Sequence, residues 1–181
     1  MNRYIQNLLK INEYQADKIR QDYWISYGST LKGLIRNYDV NPNNFLNKTH
    51  DIKNYSDLIF PAYNLVRILS NLDGRKILFT NAPKIYALNI INHCNIGRFF
   101  QDFHFIENSN FNGKPSKESM KKFLSKYRIE QAYFVDDEKE NLKVAKYCGI
   151  KTIWINKSKK KPIYIDKKIS SLKELQKLRS L

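Results

Sequence analysis

The stretch Ala132-Tyr133-Phe134-Val135-Asp136-Asp137-Glu138-Lys139-Glu140-Asn141 decides the fold. Its short apolar run reads as a buried strand, because it is too brief for a helix. Two adjacent carboxylates follow at once, and a helical pattern then runs over 138–148. A strand leading straight into a helix is half of a βαβ unit. The same cadence recurs in apolar runs at 77–79, 103–106 and 152–155, with helical stretches over 83–93 and 116–127. This alternation predicts the α/β class: a parallel sheet between helices, in three layers. Right-handed crossovers bring the carboxyl ends of such strands to one rim, where these sheets bind ligands.

Polar residues wait at that rim. Thr80-Asn81 follows the first run and precedes Pro83, a residue suited to a first helical turn. A hydroxyl and backbone N–H groups there can cradle a phosphate, and the same pair can equally cap a helix. Lys114 stands in Gly113-Lys114-Pro115, whose flanking residues fix the backbone around one cation at a helix entrance. Asp136 and Asp137 offer hard oxygen ligands suited to Mg²⁺, while Asp137 fits just as well as an N-cap of the next helix. Asn141 lies one turn further on, where it can orient a carboxylate. His50, His93 and His104 show no metal spacing and read as surface or packing residues.

Residues 1–60 read as helical. The first ten are amphipathic, and apolar positions recur at Ile11, Tyr14, Ile19, Tyr23 and Trp24. Tyr27-Gly28-Ser29-Thr30 breaks the pattern, with Ser29 or Thr30 placed to cap the next helix and Pro42 to open another. Residues 57–63, with Pro61 among them, read as a linker. The expected division is a helical region over 1–60 and an α/β domain over 61–181.

Composition bounds the rest. A chain of 181 residues, 42% hydrophobic, supports one core plus a small subdomain. Its two cysteines, Cys94 and Cys148, read as small buried thiols in a reducing compartment, so the expected location is cytoplasmic. No apolar run approaches the roughly 18 residues that span a bilayer. The net charge of +15 would draw in small anionic phosphates. Apart from a lysine run at 157–161 the charge is dispersed, which argues against a nucleic-acid partner.

In order, strand-Thr80-Asn81, Gly113-Lys114-Pro115 and strand-Asp136-Asp137 resemble motifs II, III and IV of the haloacid dehalogenase-like hydrolase superfamily. Tyr27-Gly28-Ser29-Thr30-Leu31-Lys32-Gly33-Leu34, Leu78-Phe79-Thr80-Asn81-Ala82 and the Asp136 strand look like its pyrimidine 5′-nucleotidase branch. The resemblance implies a Rossmannoid core, an α-helical cap within 1–60 that shapes specificity, and Mg²⁺-dependent phosphatase chemistry through an aspartyl-phosphate. The implied substrate is small, phosphorylated and nucleotide-like. Thr80, Asn81 and Lys114 would bind its phosphate, Lys114 with a catalytic role, and Asp136 and Asp137 would hold the metal.

One departure is severe. The family's first strand ends in an Asp-x-Asp-x-Thr loop carrying the nucleophile, and neither Tyr38-Asp39-Val40 nor Leu72-Asp73-Gly74 matches it. Family order places that strand between those ending at Thr80 and Asp136. Three expectations follow: an N-terminally truncated enzyme with two unpaired strand edges, an inactive phosphate-binding remnant, or a half completed by an N-terminal fragment in trans.

Overall fold

The computed structural model describes residues 1–52 and 54–178. The chain divides into two compact units, Met1–Lys53 and Asn54–Leu181. The first holds α1 (Asn2–Leu9), α2 (Glu13–Tyr27), α3 (Thr30–Tyr38) and α4 (Pro42–Thr49). Local chemistry sets their starts. Asn12 and Gln15 form a capping box on α2, Ser29 accepts from Lys32 N–H to cap α3, and Asn41 caps α4 with Pro42 at its first position. Of the two cap candidates Ser29 is the one used, and Pro42 opens α4 as read. A Cβ on Gly33 would lie 2.3 Å from the Tyr23 ring, so α2 and α3 meet at a spacing that only glycine permits. Ile5, Ala16, Leu34 and Phe45 fill this unit's core. Tyr14 and Trp24 depart from the apolar face read for them: both are exposed, and small Ala16 is the buried residue of α2.

The second unit carries α5 (Leu65–Ser70), β1 (Ile77–Phe79), α6 (Lys84–His93), β2 (Asp102–His104), α7 (Lys117–Lys126), β3 (Tyr133–Asp136), α8 (Lys139–Tyr147), β4 (Lys151–Ile155) and β5 (Lys167–Ile169). The α/β class and its alternation follow the sequence reading within a residue or two. All strand pairs are parallel, but they form two sheets, β1–β2 and β3–β4–β5. Phe79 sits opposite His104 in one and Asp136 opposite Trp154 in the other. Among the described residues β1 and β3 do not pair with each other. β5 was not foreseen, because Lys167-Lys168-Ile169 has no apolar run to betray a strand.

Side chains bind the two sheets together. Met120, Phe123 and Tyr127 of the α7 segment, with Ala145 and Ile150, form a buried cluster that takes in Ile77 and Phe79 from β1 and Phe134 from β3. Phe79 stacks on Phe123 at 4.4 Å and meets Phe134 edge-on at 6.2 Å between ring centroids. The two cysteines are free and half-buried, not fully buried, at the C-termini of α6 and α8, with Cys148 packed on the apolar cluster. Among the described residues no helix is long and apolar enough to cross a membrane.

Candidate phosphate and metal rim

Lys114, on the loop before α7, reaches Asp136 at the end of β3, and Asn81, next to Thr80 at the end of β1, contacts the same lysine. Thr80 N–H donates to the His104 carbonyl at 2.9 Å, extending the β1–β2 ladder by one residue. The Thr80 hydroxyl oxygen accepts from Ala82 N–H at 3.0 Å, a local turn that keeps the chain tight before Pro83. Neither Thr80 nor Asn81 caps α6, whose N-cap is Pro83; the first helical N–H, of Lys84, goes to the Glu107 carboxylate at 2.9 Å. Two of the N–H groups expected to cradle a phosphate are thus used internally.

The Asn81 side chain turns toward the Gly-Lys-Pro loop. Its Oδ1 accepts from Lys114 N–H at 2.8 Å, and its Nδ2 donates to the Lys114 carbonyl, also at 2.8 Å. Lys114 then extends between the sheets. Its Nζ donates to Asp136 Oδ2 at 2.7 Å and lies 5.3 Å from the Phe79 ring centroid and 5.4 Å from that of Phe134. Both ends of the ion pair are largely buried, with side-chain exposures of 12% and 6%. A buried pair holds only when its remaining valences are met. Asp136 Oδ1 meets them by accepting from Glu138 N–H at 2.9 Å and from Asn141 Nδ2 at 3.0 Å.

Asn141 thus orients the first carboxylate of the pair. Asp137 is exposed, and its carbonyl accepts from Trp154 Nε1 at 2.8 Å, a tie from β4 that no motif signalled. The capping alternative for Asp137 fails, since α8 begins from Glu138 without a side-chain cap. Beside the rim, His104 is enclosed by Phe79, Phe123 and Tyr127. One ring nitrogen pairs with Ser109 Oγ at 2.8 Å, while Nδ1 is buried without a partner among the described residues. Burial, helped by nearby Lys126, pushes its pKa down to about 4. The packing role read for His104 stands; His93 lies on the surface against the Ile59 carbonyl.

The donor set fits the chemistry of Mg²⁺, which takes one or two carboxylates and completes its shell with water and phosphate oxygens. Asp137 has an exposed carboxylate for such a shell, and Asp136 would join it through Oδ2 on release of Lys114. It is not a protein-only cage: among the described residues no group of three acidic, His or Cys side chains gathers at one point. The rim therefore sets a cation against a carboxylate held by three donors, with a second, exposed carboxylate next in the chain and the Thr80 hydroxyl one residue from the Asn81 that holds the lysine.

A parallel α/β unit with Thr80 and Asp136 at strand ends and Lys114 on an intervening loop has the layout of the Rossmannoid hydrolases. The chain belongs to the haloacid dehalogenase-like hydrolase family, whose model matches residues 2–155. Phosphate metabolism protein 8 of Saccharomyces cerevisiae is 23% identical over 173 residues, a match that takes in 83% of this chain and 52% of that protein. The chain thus spans about half the length of that curated relative. Among solved structures, a phosphatase of this family from Thermococcus onnurineus superposes with a TM-score of 0.62 at 20% identity, over 98% of this chain and 85% of its own. The hydrolase YfnB of Bacillus subtilis, solved bound to magnesium, does so with a TM-score of 0.62 at 18% identity, over 99% and 89%. These likenesses support the Rossmannoid fold.

Proposed function

We propose that this chain handles small phosphomonoesters at the rim, with nucleoside monophosphates as the substrate class. The carrying observation is the Lys114–Asp136 pair at 2.7 Å, with exposed Asp137 next in the chain and Asn81, the neighbour of Thr80, bonded to the Lys114 backbone. Lys114 and the Thr80 hydroxyl would hold the phosphoryl oxygens. Asp136 and Asp137 would hold Mg²⁺, which when bound supplies neutralisation of phosphate charge. The Lys114 ammonium would then turn from Asp136 to the incoming phosphate, remaining within the aromatic walls of Phe79 and Phe134. Cleavage through an aspartyl-phosphate needs a further carboxylate as nucleophile. Asp136 is unsuited to attack, because three donors already engage it.

The separate β1–β2 and β3–β4–β5 sheets favour a second reading. Here the chain binds phosphate without hydrolysing it, and an extended N-terminal fragment in trans, pairing with β1 and β3, would bring the attacking carboxylate. The free cysteines support a reducing, cytoplasmic setting. The test is hydrolysis of a panel of nucleoside monophosphates and sugar phosphates, with and without Mg²⁺. Mg²⁺-dependent release of phosphate from nucleotides supports the enzyme. Saturable nucleotide binding with no turnover supports the binding reading, and neither result would end both.

A further inference from the structure

We infer that Asn81 is a positioning residue for Lys114, working through a two-point clamp on the Lys114 backbone; the inference rests on the phosphate-handling reading above. A primary amide can present a donor and an acceptor side by side. Asn81 does so here: Oδ1 takes the Lys114 N–H and Nδ2 reaches the Lys114 carbonyl, both at 2.8 Å. The two bonds fix position and rotation of the one peptide segment from which the ammonium projects. A lysine stem is flexible, so its head is aimed only as well as its backbone is fixed.

The neighbouring residues are shaped to this clamp. A Cβ on Gly113 would stand 2.2 Å from Asn81 Oδ1 and 2.6 Å from Ile106 Cδ1. No side chain fits there, so glycine lets the loop close onto the amide. Downstream, Ser116 N–H donates to the Gly113 carbonyl at 3.1 Å, and Ser116 caps α7 through Ser119 N–H at 3.2 Å. The loop is thus pinned by Asn81 on one side and α7 on the other. Asn81 itself follows Thr80, so one turn sets both the hydroxyl and, through the clamp, the ammonium.

The test measures acylation of individual lysines by acetic anhydride, read by mass spectrometry, in wild type, Asn81→Ala and Gly113→Ala. The other lysines serve as internal standards. The clamp predicts that Lys114, shielded in wild type, reacts about tenfold faster in Asn81→Ala, the shift expected on losing two solvent-accessible hydrogen bonds. Gly113→Ala should move Lys114 in the same direction, by displacing the amide. Unchanged Lys114 reactivity in Asn81→Ala, or a rise shared by all lysines, would overturn the inference.

Orthophosphate titration separates this from the functional reading. If wild type and Lys114→Met bind orthophosphate alike, the phosphate reading fails, and the acylation result still judges the clamp. If only wild type binds, Asn81→Ala should weaken binding about tenfold, and full affinity would overturn the positioning role.

Discussion

Lys114 is held by an amide clamp at its backbone, two aromatic faces along its stem and a carboxylate at its head. Lys114→Met keeps the stem and removes the charge, leaving Asp136 buried with two of its three donors. Unfolding in urea should show a loss of roughly 3 kcal/mol, the cost of stranding one member of a buried pair. A loss below measurement would mean the pair is solvated. His104 gives a second residue-scale prediction. Its folded pKa of about 4 lies below the ordinary histidine value of 6.5, so the unfolded chain binds its proton first as pH falls. The stabilisation is complete above pH 6.5 and is lost progressively down to pH 4. Between pH 7 and 5 His104 should account for roughly 2 kcal/mol of lost stability. His104→Phe should flatten that part of the urea-stability profile, and an equally steep profile would place the titration elsewhere.

At the scale of elements, α7 carries the load that a strand ladder carries in a continuous sheet. Phe123 and Met120 belong to the cluster that takes in residues of both sheets, and Ser116 fixes where the helix begins. Ser116→Ala should cost about 1 kcal/mol in thermal or urea unfolding, as loss of an N-cap does. The elements were legible wherever local pattern and burial agree. β3 and α8 were readable from Tyr133 to Tyr147 because an apolar run gives way to a helical period. β5 was not, since Lys167 and Lys168 sit in a strand made by pairing with β4 and anchored by Ile169. The rim was readable as residue types at two strand ends, Thr80 and Asp136, and in the Gly113-Lys114-Pro115 loop. The clamp was not, because Asn81 meets Lys114 across 33 positions. Only the bare backbone of Gly113 hinted at it. Trp154, tied to the Asp137 carbonyl, was equally silent, as it reads simply as an apolar residue within a buried strand.

Among the described residues of the second unit, two parallel sheets share one aromatic core without sharing a ladder. Hydrogen exchange should reveal it. Amides of β4, which has neighbours on both sides, should exchange more slowly than those of β3, which has one. Equal protection along β3 and β4 would indicate that another strand covers the β3 edge. The net charge of +15 adds a long-range pull on anions that the rim can use, and that pull weakens as salt rises. The proposed phosphate site rests on geometry, with Lys114 paired to Asp136 and set between the Phe79 and Phe134 rings. Calorimetric titration of wild type and Lys114→Met with orthophosphate, in Mg²⁺ at neutral pH, tests this most directly. Saturable binding by wild type, lost in the variant while its fold is retained, is the predicted result. No saturable binding by wild type, or equal binding by both, would contradict it.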